Sequence, residues 1–155
     1  MDKIMEFLQN YIGFSWKGLV VFLLPMLPNV LFFILPDPNG QRLVTNNHFL
    51  LDIIEHGSQA IFFALLIFGV SKKESPLLCG YTIFMLILLL SYYGFWIAYF
   101  TIGTNFIMLM SMTVFPVIYF ILAEIWLHNL LALAPLTIFG IVHIIITYTD
   151  YYSSH

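Results

Sequence analysis

The chain has 155 residues, of which 61% are hydrophobic, 18% aromatic and only 8% charged, with a formal net charge of −3. A soluble domain carries roughly 25% charged residues to stay dispersed, so composition excludes a water-soluble fold. The charge balance, with no basic cluster, excludes nucleic acid as a partner and points to no anionic-headgroup site. Cys79 is the only cysteine, which excludes an intrachain disulfide, a dithiol redox pair and a cysteine-based metal site.

The few charges are unevenly placed: none lies between Glu74 and Glu124, and none between Glu124 and Asp150. A crossing needs ~20 mostly apolar residues, because the hydrocarbon core is ~30 Å thick and a helix rises ~1.5 Å per residue. The first gap has room for two crossings and the second for one. These runs are continuously apolar and do not alternate, which argues against a β-barrel. The expected fold class is all-α: a polytopic membrane helical bundle of five transmembrane helices, forming one membrane domain over 1–155.

In chain order, residues 1–14 mix charge with Ile4, Met5, Phe7, Leu8, Tyr11 and Ile12. They read as a short amphipathic helix lying in the interface. Lys3 is followed by a long apolar stretch with no small-residue cleavage site, so the first span is expected to stay as an anchor. That span covers about 16–35 and contains Pro25 and Pro28, each of which removes a backbone donor. A turn-rich loop over 36–47 follows. The second span, about 48–70, has a polar first half and is followed by the loop 71–76. The third covers about 77–100, and a tight turn over 101–105 leads to the fourth, about 106–123. Glu124 and His128, four residues apart with Trp126 between them, read as an interfacial anchor. The fifth span covers about 130–148. Lys3, Lys17, Lys72 and Lys73 fall on one face and Arg42 alone on the other. The positive-inside rule then places the N-terminus in the cytoplasm and the C-terminus outside the cell membrane.

One arrangement of polar residues stands out. His48, Asp52, Glu55 and Gln59 are spaced by four, three and four residues, which puts them on one stripe within ~60° of each other at 100° per residue. Charge in hydrocarbon is costly, so such a stripe faces the bundle interior and finds partners. Depth selects those partners. Asn29 near the end of span one, Glu55 in span two and His143 in span five all fall ~8–11 Å below the same boundary. Gly140, Thr147 and Asp150 share a face with His143. Tyr92, Tyr93 and Trp96 of span three and Ser111 of span four reach a comparable level. The expectation is a polar cavity with Glu55 and His143 at its base and Asp52, His48 and Asp150 toward its mouth. Asn29 would stand beside a carbonyl freed by Pro28.

Each element has a plainer reading. His48 and Asp52 can simply be wetted by headgroups, Glu55 can be a structural link between helices, and His143 can be a satisfied core histidine. A Glu–His pair at this depth can instead exchange protons or receive a cation. The spacing matches no metal motif, HExxH included, so neither a metal nor any other cofactor is expected. No glycine-rich phosphate loop or nucleophile elbow is present, and no catalytic residue is assigned.

Pro28-Asn29 in the first span, Glu55 in the second, and Pro135, His143-Ile144 and Tyr148 in the last resemble a group of short multi-pass bacterial membrane proteins. The resemblance implies that these positions belong to one arrangement and carries over no activity. Thr147 stands where a serine is more usual, and the hydroxyl is kept.

The leading expectation is a non-enzymatic protein that binds or passes a small cationic or amphipathic ligand, or protons. Glu55, His143, Asp52, Asn29, Gln59 and Trp96 would line the site. One alternative is an intramembrane enzyme on a lipid-like substrate, with Glu55, Asp52 and His143 as acid, base and orienting groups. Another is an accessory or immunity-like partner with no cavity, in which Phe and Leu plug the polar stripe. The expected partners are the lipid bilayer, a small-molecule ligand, and further copies of the chain or a larger membrane complex.

Overall fold

A computed structural model describes residues 11–35 and 48–153. Five helices carry the fold: α1 (Trp16–Ile34), α2 (Phe49–Phe68), α3 (Gly80–Thr101), α4 (Phe106–Trp126) and α5 (Leu133–Ser153), the last preceded by a 3-10 turn at Leu130–Ala132. All five are long and apolar enough to cross a membrane, and only 17–33% of the most apolar stretch of each is buried inside the chain. The remaining apolar surface needs an apolar surrounding, as in a multi-pass membrane protein.

The helix starts follow from local chemistry. The Ser15 hydroxyl accepts the Gly18 N–H and starts α1, and the Asn105 side chain accepts the Met108 N–H and starts α4. α4 ends at Trp126, where His128 takes the left-handed conformation with φ of 55°.

Most of the expected interfacial helix, and the whole of the loop 36–47, lie outside the described residues. Of the described residues, Tyr11 is helical and 12–14 are not. Ile12 bridges Gly69 in antiparallel fashion, and the Gly13 and Ser15 N–H groups donate to Phe68 and Ile67 carbonyls. Residues 12–15 leave the helical path here because the end of α2 offers unpaired carbonyls that their N–H groups can meet.

α4 packs against α3 and α5, and α5 packs against α2; α1 completes the bundle against α2, touching α3 and α4 more lightly. Gly140 permits the close approach of α5 to α4, since a Cβ there would meet Val117 Cγ1 at 2.6 Å. The centre is aromatic: the Phe62 ring lies 5.2 Å from Phe120 and 5.6 Å from Phe139, with Leu66, Leu136 and Ala123 wholly buried around them.

Two prolines inside α1 show how the bundle meets its hydrogen-bonding needs. Pro25 and Pro28 have no N–H to give to the carbonyls four residues earlier, Val21 and Leu24. Hydrophobic surroundings make such orphaned carbonyls costly. The Tyr119 hydroxyl of α4 donates to Val21 O at 3.3 Å, and the Tyr93 hydroxyl of α3 donates to Leu24 O at 2.5 Å. The missing bonds thus become ties between helices.

Glu124 departs from its expected role as an interfacial anchor paired with His128. It is 0% exposed, both carboxyl oxygens lack a hydrogen-bond partner among the described residues, and His128 is exposed. α4 simply runs further than the sequence suggested. Its last turn tucks under the 3-10 turn, with the Asn129 N–H donating to Glu124 O and the Asn129 side chain to Leu65 O.

Gly18 supplies a test of the packing at the lysine-bearing end, where a Cβ would stand 2.0 Å from the Leu66 carbonyl oxygen. At Gly57, inside α2, a Cβ meets nothing within 4 Å. Gly57→Ala should stabilise the purified protein by about 0.5–1 kcal/mol, while Gly18→Ala should cost about 1–3 kcal/mol. Thermal unfolding in detergent measures both, and equal effects would contradict this packing.

Candidate functional site

The polar sides of α2 and α5 face each other in the half of the bundle away from Lys17, Lys72 and Lys73. Glu55 stands on the second turn of α2, and His143 stands on α5 one turn beyond Phe139. His143 Nδ1 lies 2.5 Å from Glu55 Oε1, a short hydrogen bond in which the ring N–H donates to the carboxylate. Phe139 stacks on the imidazole at 5.2 Å between centroids and 15° between planes, which holds the ring in place. The other carboxylate oxygen lies 4.0 Å from His56 Nδ1. The Glu55 side chain is 12% exposed and that of His143 38%.

This pair lines a cavity of about 430 Å³ to which all five helices contribute. From α1 come Asn29 and Met26, from α2 Glu55, His56, Gln59 and Phe63, and from α3 Tyr92 and Trp96. Met112, Thr113, Pro116, Phe120, Phe139, His143 and Thr147 complete most of the wall. Phe120 and Phe139 belong to the aromatic centre, so the cavity floor rests on that layer. His56 is the one exposed residue among the described lining, and marks where the cavity meets its surroundings.

The polar lining is only partly satisfied. The Tyr92 hydroxyl donates to Asn29 Oδ1 at 3.2 Å, and Asn29 Nδ2 lies 3.8 Å from Met26 Sδ. The Thr113 hydroxyl donates to Thr147 Oγ1 at 3.2 Å, tying α4 to α5 across the wall. Trp96 meets the Tyr92 ring edge-on at 6.3 Å, yet its buried Nε1–H finds no hydrogen-bond partner among the described residues. An indole N–H left in this way can donate to a hydrogen-bond acceptor.

Comparison with protein-family models, curated proteins and solved structures gives no match. The resemblance to short bacterial membrane proteins gains nothing from it, and function has to be argued from the site's own chemistry.

Five of the six expected site residues line the cavity: Glu55, His143, Asn29, Gln59 and Trp96. Asp52, His48 and Asp150 are not among the described residues that line it. Instead the start of α2 and the end of α5 close on each other, with His48 Nε2 at 3.8 Å from Asp150 Oδ1 and at 3.4 Å from Thr149 Oγ1. Asn29 does not approach the carbonyl freed by Pro28, because the Tyr93 hydroxyl occupies it. Ser111 donates to Ile107 O within its own helix, and Thr113 takes the place expected of it. Two residues along a helix is a rotation of ~200°, and α4 is so uniformly apolar that no face could be read from its sequence. Among the described residues no group of three or more His, Cys, Asp or Glu side chains could hold a metal ion.

Glu55 and His143 should therefore be energetically coupled. A double-mutant cycle with Glu55→Gln and His143→Asn, read by thermal unfolding, should give a coupling of about 0.5–3 kcal/mol. Additive effects would mean that the two side chains do not meet.

Proposed function

We propose that the cavity receives a small organic cation, with Glu55 as its counter-ion and the surrounding rings as its walls. The observation that carries this reading is a carboxylate, inside a span, at the edge of a cavity walled by aromatic rings. A charge at that depth is costly without a partner. His143 meets one oxygen of Glu55 and leaves the other without a hydrogen bond among the described residues. A guest ammonium or a proton is the natural complement to that second oxygen. The faces of Tyr92, Trp96 and Phe120 attract a cation through their quadrupoles, each by about 0.5–2 kcal/mol where water is excluded. Met26 and Met112 adapt to apolar parts of the guest. Asn29, Gln59 and the Trp96 N–H offer orientation to its polar parts.

The accessory-partner reading requires Phe and Leu to fill the polar stripe, and the open cavity at Glu55 favours a ligand instead. By the positive-inside rule, the lysine-bearing end faces the cytoplasm and the cavity lies toward the outer leaflet. The chain would then bind its guest from that side, alone or together with further copies.

Benzyltrimethylammonium and its uncharged isostere neopentylbenzene separate charge from shape. The wild-type protein in detergent should bind the cation at least about tenfold more tightly than the isostere, which corresponds to about 1.4 kcal/mol. Glu55→Gln should remove that preference while thermal unfolding shows the protein still folded. Equal binding of both compounds, or an unchanged preference in Glu55→Gln, would reject the reading.

A further inference from the structure

A second cavity, of about 470 Å³, lies at the lysine-bearing end, away from Glu55. The start of α1 and the α2–α3 loop enclose it, and its polar lining is Ser15, Lys17, Ser71, Lys73, Glu74 and Ser75. They come from two short segments, 15–17 and 71–75, which the fold brings together. The Lys17 ammonium is fixed in place. It donates to Ser75 O at 2.6 Å and stands 5.5 Å from the Trp126 ring and 5.9 Å from the Trp16 ring. One of its three donors is thus used and two remain among the described residues. Trp126 Nε1 donates to Pro76 O at 2.8 Å and pins the loop from the other side.

Three further features point to an anion. Ser75 is 8% exposed, and its hydroxyl makes no hydrogen bond among the described residues although it lines the cavity. Lys73 contributes a second, exposed ammonium with no other partner among them. Ser15 caps Gly18, which leaves the first amide N–H groups of α1, at Trp16 and Lys17, without an intrahelical acceptor. Ammonium groups, hydroxyls and open helix-start amides together make a donor set for a tetrahedral oxyanion.

We propose that this cavity holds the phosphate of an anionic phospholipid headgroup. Among the described residues, two lysines against one glutamate give the lining a net charge of +1, which suits a singly charged phosphodiester better than doubly charged free phosphate. The surroundings favour a lipid as well. Trp16 is 56% exposed, and Leu77 and Leu78 are 62% and 89% exposed beside the loop. An exposed Trp next to exposed leucines marks the level where headgroups give way to acyl chains.

The test uses the full chain in mild detergent with equimolar phosphatidylglycerol and phosphatidylcholine, read by native mass spectrometry. The wild-type protein should retain phosphatidylglycerol in preference. Lys73→Gln, which breaks no contact seen here, should lower that retention about fivefold, with thermal unfolding unchanged. Inorganic phosphate added at millimolar concentration should not displace the lipid. If it does, and itself binds, the occupant is the free ion and the lipid assignment is overturned. Equal retention of the two lipids, or equal phosphatidylglycerol on wild type and Lys73→Gln, would overturn it too.

Discussion

A carboxylate inside an apolar helix is costly unless a partner within the protein meets it, because acyl chains offer none. Glu55 is in that position, and His143 is the group that meets it. That contact decides which faces of α2 and α5 turn toward each other, two helices separated by most of the chain. The rest of the upper bundle is consistent with it. Gly140, one turn before His143, lets α5 lie close to α4 at Val117, and the Thr113–Thr147 hydrogen bond fixes the register of that pair. Phe139 supports the imidazole from below and joins the aromatic centre.

The same constraint governs the backbone. α1 carries two prolines in hydrocarbon, and each of the two carbonyls they release is taken by a tyrosine from another helix. These ties hold α1 to α3 and α4, although its packing against them is light. The cavity is bounded by those commitments: polar groups of α2 and α5 on one side, tyrosines and Trp96 of α3 on another, and phenylalanine rings below.

How much of this was legible in the sequence depends on contrast between neighbouring residues. The five helices were legible because long uncharged runs have few other uses, and the α2 stripe because four polar residues on an apolar helix fix a face. The meeting of Glu55 and His143 followed from that face and from depth. Where contrast fails, so does the reading. α4 is apolar all round, which hid both the inward face of Thr113 and the burial of Glu124. Asp52 belongs to the correct stripe, but the ends of α2 and α5 close where its role was expected. The cavity around Lys17 and Lys73 was invisible because it exists only once the start of α1 reaches the end of α2.

The central claim is a hydrogen bond from the His143 ring to Glu55 inside the membrane-spanning bundle. Magic-angle-spinning NMR of the protein in bilayers, with ¹⁵N-labelled histidine, observes that proton directly. The expected spectrum shows one Nδ1–H proton far downfield, assigned to His143 by its loss in a His143→Asn variant, and shifted strongly upfield when Glu55 is replaced by Gln. A His143 signal that is ordinary in the wild type, and identical in the Glu55→Gln variant, would contradict the account.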